Sequence, residues 1–232
     1  MNKVIGIPGF INSDKMFGVT GNYMEFANNF GDVRIIMPHE EHVEVDLLLL
    51  PGGMDLNPTS YKQIPGYQTG HIDVFKQFFF DNRLENYVGN TAIFGICLGF
   101  QQLNVHFGGT LTQNLLGHPT SNTRWTKAHE VFAADNSGKE YNFEVNSHHH
   151  QGIYQDDLAK DLVFLAGHRH NAKDRNPLVE SFCHTTLPIG GVQWHPEEFY
   201  DDFSRNLIHS LMAVNEEQKK KVAAVVEAPT IQ

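Results

Sequence analysis

The sequence predicts an α/β fold with a mostly parallel central sheet, flanked by helices, and a smaller antiparallel extension. Short segments that are apolar along their whole length alternate with amphipathic segments over residues 4–107. Fully apolar strands are typical of parallel sheets, because helices cover both faces of such sheets. After about residue 115 the strand-like segments become shorter and more polar, which predicts the antiparallel part. A chain of 232 residues is long enough to bury one core of this kind.

Hydrophobic periodicity gives the expected order of the elements. The predicted strands cover residues 4–7, 33–37, 45–50 and 92–96 in the parallel part, and residues 162–166 and 178–184 in the extension. The predicted helices cover residues 23–30, 71–88 and 203–214. We expect residues 1–214 to form a single domain and residues 215–232 to form a mobile tail.

The composition excludes several functional classes. The formal net charge is −10, from 17 basic and 27 acidic residues, and no cluster of lysine and arginine resembles a nucleic-acid-binding surface. No apolar segment is long enough to cross a membrane. Two cysteines do not suggest a disulfide framework, so we expect a reducing, cytoplasmic setting.

The most informative segment is residues 95–99, which read Gly-Ile-Cys-Leu-Gly between an apolar strand and a helix-like pattern. This is the cysteine version of the nucleophile elbow, a sharp strand-to-helix turn whose flanking glycines relieve crowding. Cys97 would lie at a helix N-terminus, where the helix dipole favours the thiolate and backbone N–H groups can bind an oxyanion. The alternative from this motif alone is a tight turn with an inert buried cysteine.

A second motif near the C-terminus can supply a base for such a cysteine. His195 and Glu197 are two residues apart, so in an extended segment they point the same way. Pro196 stiffens that arrangement, because it restricts the preceding residue to extended dihedral angles. Glu197 can therefore orient the imidazole of His195 towards a nucleophile. The alternative is a surface strand end that carries a histidine and an acid by chance.

A third motif follows the predicted strand at residues 45–50. Pro51, Gly52 and Gly53 form a loop without bulky β-substituents, so its backbone can approach a ligand closely. Alone this is only a turn signal. Beside a cysteine elbow it becomes a candidate for the second donor of an oxyanion hole.

At these motifs the chain resembles the class I glutamine amidotransferases, and within them the γ-glutamyl-amine hydrolases such as the γ-glutamyl-γ-aminobutyrate hydrolases. The matching segments are residues 51–61, 95–101, 108–111, 145–151 and 191–197, in the order typical of the family. The resemblance spans about residues 47 to 198. It implies a flavodoxin-like catalytic domain over residues 1–214.

The resemblance also implies roles for individual residues. Cys97 would be the nucleophile, His195 the general base and acid, and Glu197 the residue that orients His195. The backbone N–H groups of Gly53 and Leu98 would form the oxyanion hole. The implied substrate-binding residues are Gly52, Gln101, Asn146, Ser147, His148 and His149. His148 departs from the family pattern, which often has an apolar or aromatic residue there.

The expected activity is hydrolysis of the γ-glutamyl amide bond of glutamine or a γ-glutamyl amine through a γ-glutamyl thioester. A small γ-glutamyl molecule would be the substrate. One alternative is a glutaminase subunit that delivers ammonia to a separate synthetase partner, and another is a binding protein without catalytic activity. A homodimer is also left open.

The chain contains 14 histidines, some of which could be imagined as metal ligands. The group considered comprises His148, His149, His150, His168, His170 and His195. Consecutive histidines in a strand point to opposite faces, and no second ligand set shows metal-binding spacing. Hydrogen-bonded histidines around a thiolate pocket explain the group equally well. We therefore expect no metal and no other cofactor.

Overall fold

The computed structural model describes residues 2–11, 16–123, 125–134, 137–171 and 174–226. The strands are β1 (Val4–Pro8), β2 (Phe10–Ile11), β3 (Phe17–Gly18), β4 (Asp32–Ile36), β5 (Leu47–Leu50), β6 (Ala92–Ile96), β7 (His129–Ala134), β8 (Glu140–Val145), β9 (Ile153–Tyr154), β10 (Leu162–His168), β11 (Leu178–His184) and β12 (Ile189–Val192). The α-helices are α1 (Gly21–Asn28), α2 (Val74–Asn82), α3 (Leu98–His106) and α4 (Asp202–Val226). Short 3-10 turns lie at Pro58–Tyr61, Leu84–Asn86 and Gln155–Asp157.

A mixed ten-stranded sheet forms the centre of the molecule, in the order β4-β1-β5-β6-β12-β11-β10-β7-β8, with β9 paired to β11. The strands from β4 to β12 are parallel, and the pairs from β12 to β8 are antiparallel. The predicted fold class is therefore confirmed. The antiparallel extension continues the same sheet. Strand β12 follows the antiparallel strands in sequence but pairs in parallel with β6.

The inner parallel strands β1, β5, β6 and β12 are buried on both faces, as their apolar sequence indicates, whereas the edge strand β4 is partly exposed. In β5, Leu48 and Leu50 pack in the core on one side of the sheet, and Leu47 and Leu49 pack in the core on the other side. Helices α2 and α3 contribute to the first core, and α1 and α4 contribute to the second. Burial of each leucine stabilises the fold by roughly 1.5–3 kcal/mol. The carboxyl ends of β5, β6 and β12 are thereby held on a rigid support.

The helix predicted over residues 71–88 is shorter in the structure. The carboxylate of Asp73 caps α2 by accepting hydrogen bonds from the backbone N–H groups of Phe75 and Lys76, at 2.9 and 3.1 Å. Arg83 has φ −127°, outside the helical region, and ends α2 before the 3-10 turn. Asp73 therefore sets the start of the helix that carries Lys76.

The last helix runs through the expected boundary at residue 214. Asn215 is buried, and its side-chain amide donates a hydrogen bond to the backbone carbonyl of Asp46 at 3.4 Å. The segment after residue 214, expected to be a frayed helix and then a mobile tail, is helical as far as Val226, and residues 227–232 lie outside the described residues. Among the described helices, none combines the length and the apolar character needed to span a membrane.

Candidate active site

Cys97 occupies a strained turn between β6 and α3. Its backbone has φ 49° and ψ −100°, a conformation that residues other than glycine rarely adopt. A β-carbon on Gly95 would lie 2.6 Å from backbone atoms of Gly99, and one on Gly99 would overlap the carbonyl oxygen of Leu50. Only glycine fits at both positions, so the sequence 95–99 permits a turn that other residues would prevent. The turn places the thiol at the N-terminus of α3.

The imidazole of His195 lies beside Glu197 near the thiol. Nδ1 of His195 is 2.7 Å from Oε1 of Glu197, and the Glu197 side chain is only 1% exposed. Because a carboxylate only accepts hydrogen bonds, Nδ1 carries a proton and Nε2 faces away from Glu197. A β-carbon on Gly52 would lie 2.9 Å from Cε1 of His195 and 3.5 Å from Cβ of Cys97, so both side chains border the same small space.

The electrostatics of this group favour a charged imidazole. Burial by itself lowers the pKa of His195, but the negative charges of Glu197 and Cys97, with their hydrogen bonds, outweigh burial. The pKa of His195 is thereby held well above its ordinary value of 6.5. A protonated His195 can stabilise a thiolate and can later give a proton to a leaving group.

Asn146 holds the backbone of His195 in place. Oδ1 of Asn146 accepts from the N–H of His195 at 2.9 Å, and Nδ2 donates to the carbonyl of His195 at 3.2 Å. Asn146 was predicted from the family resemblance as a substrate-binding residue. The structure places its amide against the main chain of His195.

The Pro-Gly-Gly loop after β5 is fixed from two sides. The N–H of Gly52 donates to the hydroxyl of Tyr23 at 2.8 Å, and the carbonyl of Gly52 accepts from Nζ of Lys76 at 2.5 Å. A β-carbon on Gly53 would lie 2.7 Å from Cδ2 of Leu98, so this loop touches the first turn of α3. As the first residue of α3, Leu98 has an N–H without an acceptor inside the helix. The two predicted oxyanion donors, Gly53 and Leu98, therefore come together.

Lys76 and Tyr23 are functional candidates that the sequence did not indicate. Lys76 is only 8% exposed, and this burial lowers the pKa of its ammonium group to about 8. The negative charges of Asp73, Cys97 and Glu197 act in the opposite direction but do not outweigh burial. Burial and the charge of Glu197 raise the pKa of Tyr23 well above 10.0, so it remains a neutral phenol. In the sequence, Lys76 lies among the phenylalanines of the predicted helix, and this apolar setting could have indicated that its side chain is buried.

A small open cleft leads to the thiol from the molecular surface. Its lining consists of Gly53, Met54, Asp55, Cys97, Gln101, His148, His149, His150 and Gln151. Nε2 of Gln101 donates to the carbonyl of Gln151 and to Oε1 of Gln193, both at 3.1 Å. The amide of Gln151 is buried and has no hydrogen-bond partner within the described residues. Gln151 is therefore a further candidate for contact with a bound substrate.

The segment 146–151 does not present all its side chains to the cleft. The exposed ring of His148 stands 5.5 Å from the ring of His195, centre to centre. His150 contacts Asp55, with 2.9 Å between Nε2 and Oδ1. Ser147 is fully buried, and its hydroxyl lies 3.2 Å from Nε2 of His118, behind the cleft. Of the predicted substrate-binding residues, Gln101, His148 and His149 thus line the cleft, whereas Gly52, Asn146 and Ser147 do not.

Behind the cleft, side chains from four separate segments form a buried polar cluster, which comprises His118, His129, His149 and Glu180. Of the histidines considered from the sequence, only His149 belongs to it. Burial, with the neighbouring histidines, lowers the pKa of His118 to about 2, and burial lowers that of His129 to about 4 and that of His149 to about 3. All three imidazoles are therefore neutral at pH 7.

Comparison with known proteins is consistent with this architecture. The sequence profile of the family described as Peptidase C26 matches residues 4–197. The glutamine amidotransferase-like protein YvdE of Lactococcus lactis is 30% identical over 194 residues, which cover 76% of this chain and 79% of that protein. A glutamine-hydrolyzing GMP synthase subunit of Methanopyrus kandleri is 28% identical over 137 residues, 54% of this chain and 62% of that protein.

The fold is also shared with a solved structure. A Thermoplasma acidophilum protein, designated a subunit of GMP synthase, superimposes with a TM-score of 0.65 at 19% identity. The match covers 96% of this chain and 98% of that one. At this identity the similarity shows a common fold.

Proposed function

Because the chain belongs to the Peptidase C26 family of glutamine amidotransferase-like proteins, we propose that it is a cysteine-dependent hydrolase of γ-glutamyl amides. The substrate would be glutamine or a γ-glutamyl amine, and the catalytic residues would be Cys97, His195 and Glu197. The observation that carries this proposal is the strained Cys97 at the start of α3, beside an imidazole that Glu197 holds at 2.7 Å. A free thiol nucleophile suits the reducing conditions of the cytoplasm.

In the proposed acylation step, the thiolate of Cys97 attacks the γ-carbonyl carbon of the substrate. The carbonyl oxygen gains negative charge and accepts hydrogen bonds from the backbone N–H groups of Gly53 and Leu98. Protonated His195 gives its Nε2 proton to the departing amine as the C–N bond breaks. The products of this step are a free amine, or ammonia from glutamine, and a γ-glutamyl thioester on Cys97.

In the proposed deacylation step, neutral His195 accepts a proton from water as the water oxygen attacks the thioester carbonyl. The C–S bond breaks, glutamate leaves, and the thiolate of Cys97 and protonated His195 are restored. Glu197 stays ionised throughout and stabilises the imidazolium each time it forms.

We further propose that Lys76 sets the direction of one oxyanion donor. The carbonyl of Gly52 and the N–H of Gly53 belong to one planar trans peptide unit, so they point in opposite directions. Lys76 holds that carbonyl at 2.5 Å, and Tyr23 holds the N–H of Gly52 at 2.8 Å. A peptide between two glycines could otherwise rotate easily. Lys76 is thus a positioning residue, which keeps the N–H of Gly53 directed at the developing oxyanion.

A Lys76→Met variant should have a kcat for glutamine lower by about tenfold to a hundredfold, with little change in KM. Methionine keeps the length of the side chain but loses the donor, and the oxyanion exists only after the nucleophile has attacked. Steady-state kinetics measure both constants. Lys160→Met is the matched control, because Lys160 is exposed. An unchanged kcat in Lys76→Met would contradict this role.

The proposed activity is tested by incubating the purified chain with glutamine and with a series of γ-glutamyl amines, such as γ-glutamyl-aminobutyrate, γ-glutamyl-putrescine and γ-glutamyl peptides. We expect release of glutamate and of the amine from at least one compound without nucleotide. The preferred amine then identifies the branch of the family. No turnover of any γ-glutamyl amide, alone or with a partner, would refute the proposal.

A glutaminase subunit is the second candidate function. It is favoured by the similarity to the glutamine-hydrolyzing GMP synthase subunit of Methanopyrus kandleri, which is named as part of a larger enzyme. A protein of this kind would pass ammonia to a separate synthetase chain. Glutamine turnover that rises strongly only when a copurified partner is added would support this function over independent hydrolysis.

A further inference from the structure

We propose that this protein holds a structural zinc ion at a buried site behind the active-site cleft. The ligands are His118, His129, His149 and Glu180. The site is separate from the proposed catalytic residues, and the inference does not depend on the reaction that they perform.

The spacing of the ligand atoms suits a small cation. Each of the four residues offers one donor atom, and these atoms all lie within 4.8 Å of one another. Nε2 of His118 is 3.3 Å from Nε2 of His149 and 4.0 Å from Oε1 of Glu180. Zinc bonds of about 2.0–2.1 Å in a tetrahedron place neighbouring donors about 3.3 Å apart. Contraction of roughly 1.5 Å or less along the longer edges would therefore complete the coordination.

Two ligands have their donor atoms fixed by outer hydrogen bonds. Nδ1 of His149 lies 2.9 Å from the carbonyl oxygen of Gln151, and Nδ1 of His129 lies 3.2 Å from the carbonyl oxygen of Glu130. A carbonyl can only accept, so each Nδ1 carries the proton and each Nε2 presents a lone pair. Zinc-binding histidines in proteins are oriented in this way by their outer partners.

Two groups in the interior of the cluster, the carboxylate of Glu180 and Nε2 of His129, have no hydrogen-bond donor among the described residues. Glu180 is fully buried, and within the described part of the chain neither of its carboxylate oxygens has a partner. Nε2 of His129 is likewise buried without a partner there and lies 3.9 Å from Oε1 of Glu180. Leaving such buried groups unsatisfied destabilises the fold, most of all when the group is charged.

A water molecule would satisfy this cluster poorly. Nε2 of His149 can accept a hydrogen bond from His118, 3.3 Å away, but Nε2 of His129 and the two oxygens of Glu180 remain as three acceptors. One water has only two hydrogens to donate to them. A proton on Glu180 would supply one further donor, yet its nearest imidazole nitrogens are 3.9 and 4.0 Å away, too far for a hydrogen bond. A divalent cation accepts lone pairs from all the ligands at once and neutralises the carboxylate.

Three neutral imidazoles and a carboxylate leave no open coordination position in a tetrahedral site, which is typical of structural zinc. The ion would join the loop at His118, the start of β7, the segment 146–151 and strand β11. His149 lines the cleft, so the ion would stiffen the cleft wall without contacting the reacting atoms.

The test compares metal content and thermal stability of the full-length chain. The protein is stripped with a chelator, reloaded with zinc chloride alone, desalted and analysed by inductively coupled plasma mass spectrometry. We expect about one zinc ion per chain and a melting temperature several degrees above that of the stripped protein. Failure of the stripped protein to take up stoichiometric zinc, with no rise in melting temperature, would overturn the proposal.

A Glu180→Gln variant separates the metal site from a simple buried acid. If zinc is bound, the variant should lose most of its zinc and the zinc-dependent rise in melting temperature. If Glu180 is not a zinc ligand, the glutamine variant should bind as much zinc as the unaltered chain and show the same zinc-dependent rise in melting temperature. That result would refute the site. His106→Gln is the matched control, because His106 lies on α3 outside the cluster, and it should retain zinc.

Cobalt substitution in the unaltered chain gives a reading that does not depend on how the variant folds. Tetrahedral cobalt bound to nitrogen and oxygen donors absorbs strongly in the visible range, whereas octahedral cobalt absorbs weakly. An intense visible spectrum that zinc abolishes is the expected result. A weak spectrum typical of hydrated cobalt would overturn the assignment of a buried tetrahedral site.

Discussion

A Cys97→Ser variant is expected to lose glutamine hydrolysis by on the order of 10⁴-fold or more in kcat/KM while keeping the fold, as nucleophile removal does in triad enzymes. Oxygen is smaller than sulfur and introduces no clash, so the strained turn at φ 49° and its packing against β5 should remain. A serine hydroxyl, however, is hardly ionised near neutral pH. A His195 that is held protonated cannot accept the proton of that hydroxyl. Steady-state kinetics and a thermal melt measure the two properties separately.

Cys183→Ser provides the matched control for this prediction. Cys183 lies half-buried in β11, and burial raises the pKa of its thiol, so it should be a poor nucleophile. This variant should keep full activity, and brief treatment with iodoacetamide should label Cys97 in preference to Cys183. Full activity of Cys97→Ser, or loss of activity in Cys183→Ser, would remove Cys97 from the proposed mechanism.

A Glu197→Gln variant should lower kcat/KM by about 10² to 10⁴-fold and move the alkaline limb of its pH profile to lower pH. The charge of Glu197 is one of the interactions that raise the pKa of His195, and the neutral amide cannot replace it. The active form requires protonated His195, so activity falls as pH rises through that pKa. Lowering the pKa makes this fall begin at lower pH.

Glu198→Gln distinguishes the two neighbouring carboxylates. Oε1 of Glu198 accepts a hydrogen bond from Nδ2 of Asn22 at 2.8 Å, whereas Glu197 contacts the imidazole of His195. The Glu198 variant should therefore show an alkaline limb at the same pH as the unaltered protein. If only the Glu198 variant shifted the limb, the assignment of Glu197 would be wrong.

The parts of the fold predicted from the sequence are those that local patterns determine. The run Leu47–Leu50 and the run Ala92–Ile96 are apolar at every position, which distinguishes buried parallel strands from half-exposed ones. The elbow was found because its glycines lie close to Cys97 in sequence. The contact between His195 and Glu197 could be predicted for the same reason, since one residue separates them.

Features that depend on contacts between distant segments were not predicted. The apolar pattern over residues 71–88 hides the break at Arg83, where the backbone leaves the helical region. The sequence places Lys76 among phenylalanines, but its contact with the carbonyl of Gly52 arises only because α2 packs beside the Pro-Gly-Gly loop. The cluster around Glu180 joins four segments, and no spacing along the chain relates its members.

The pairing of β6 with β12 has a consequence for when the catalytic pair comes into being. The two strands are adjacent and parallel, with Val192 opposite Ile96, so Cys97 and His195 extend from neighbouring strand ends although the whole antiparallel extension separates them in sequence. During synthesis the N-terminal part of the chain emerges first. The elbow can therefore form on the ribosome well before its base has been made. Until β12 inserts beside β6, the growing protein carries Cys97 without His195 beside it, so the proposed activity would require the completed sheet.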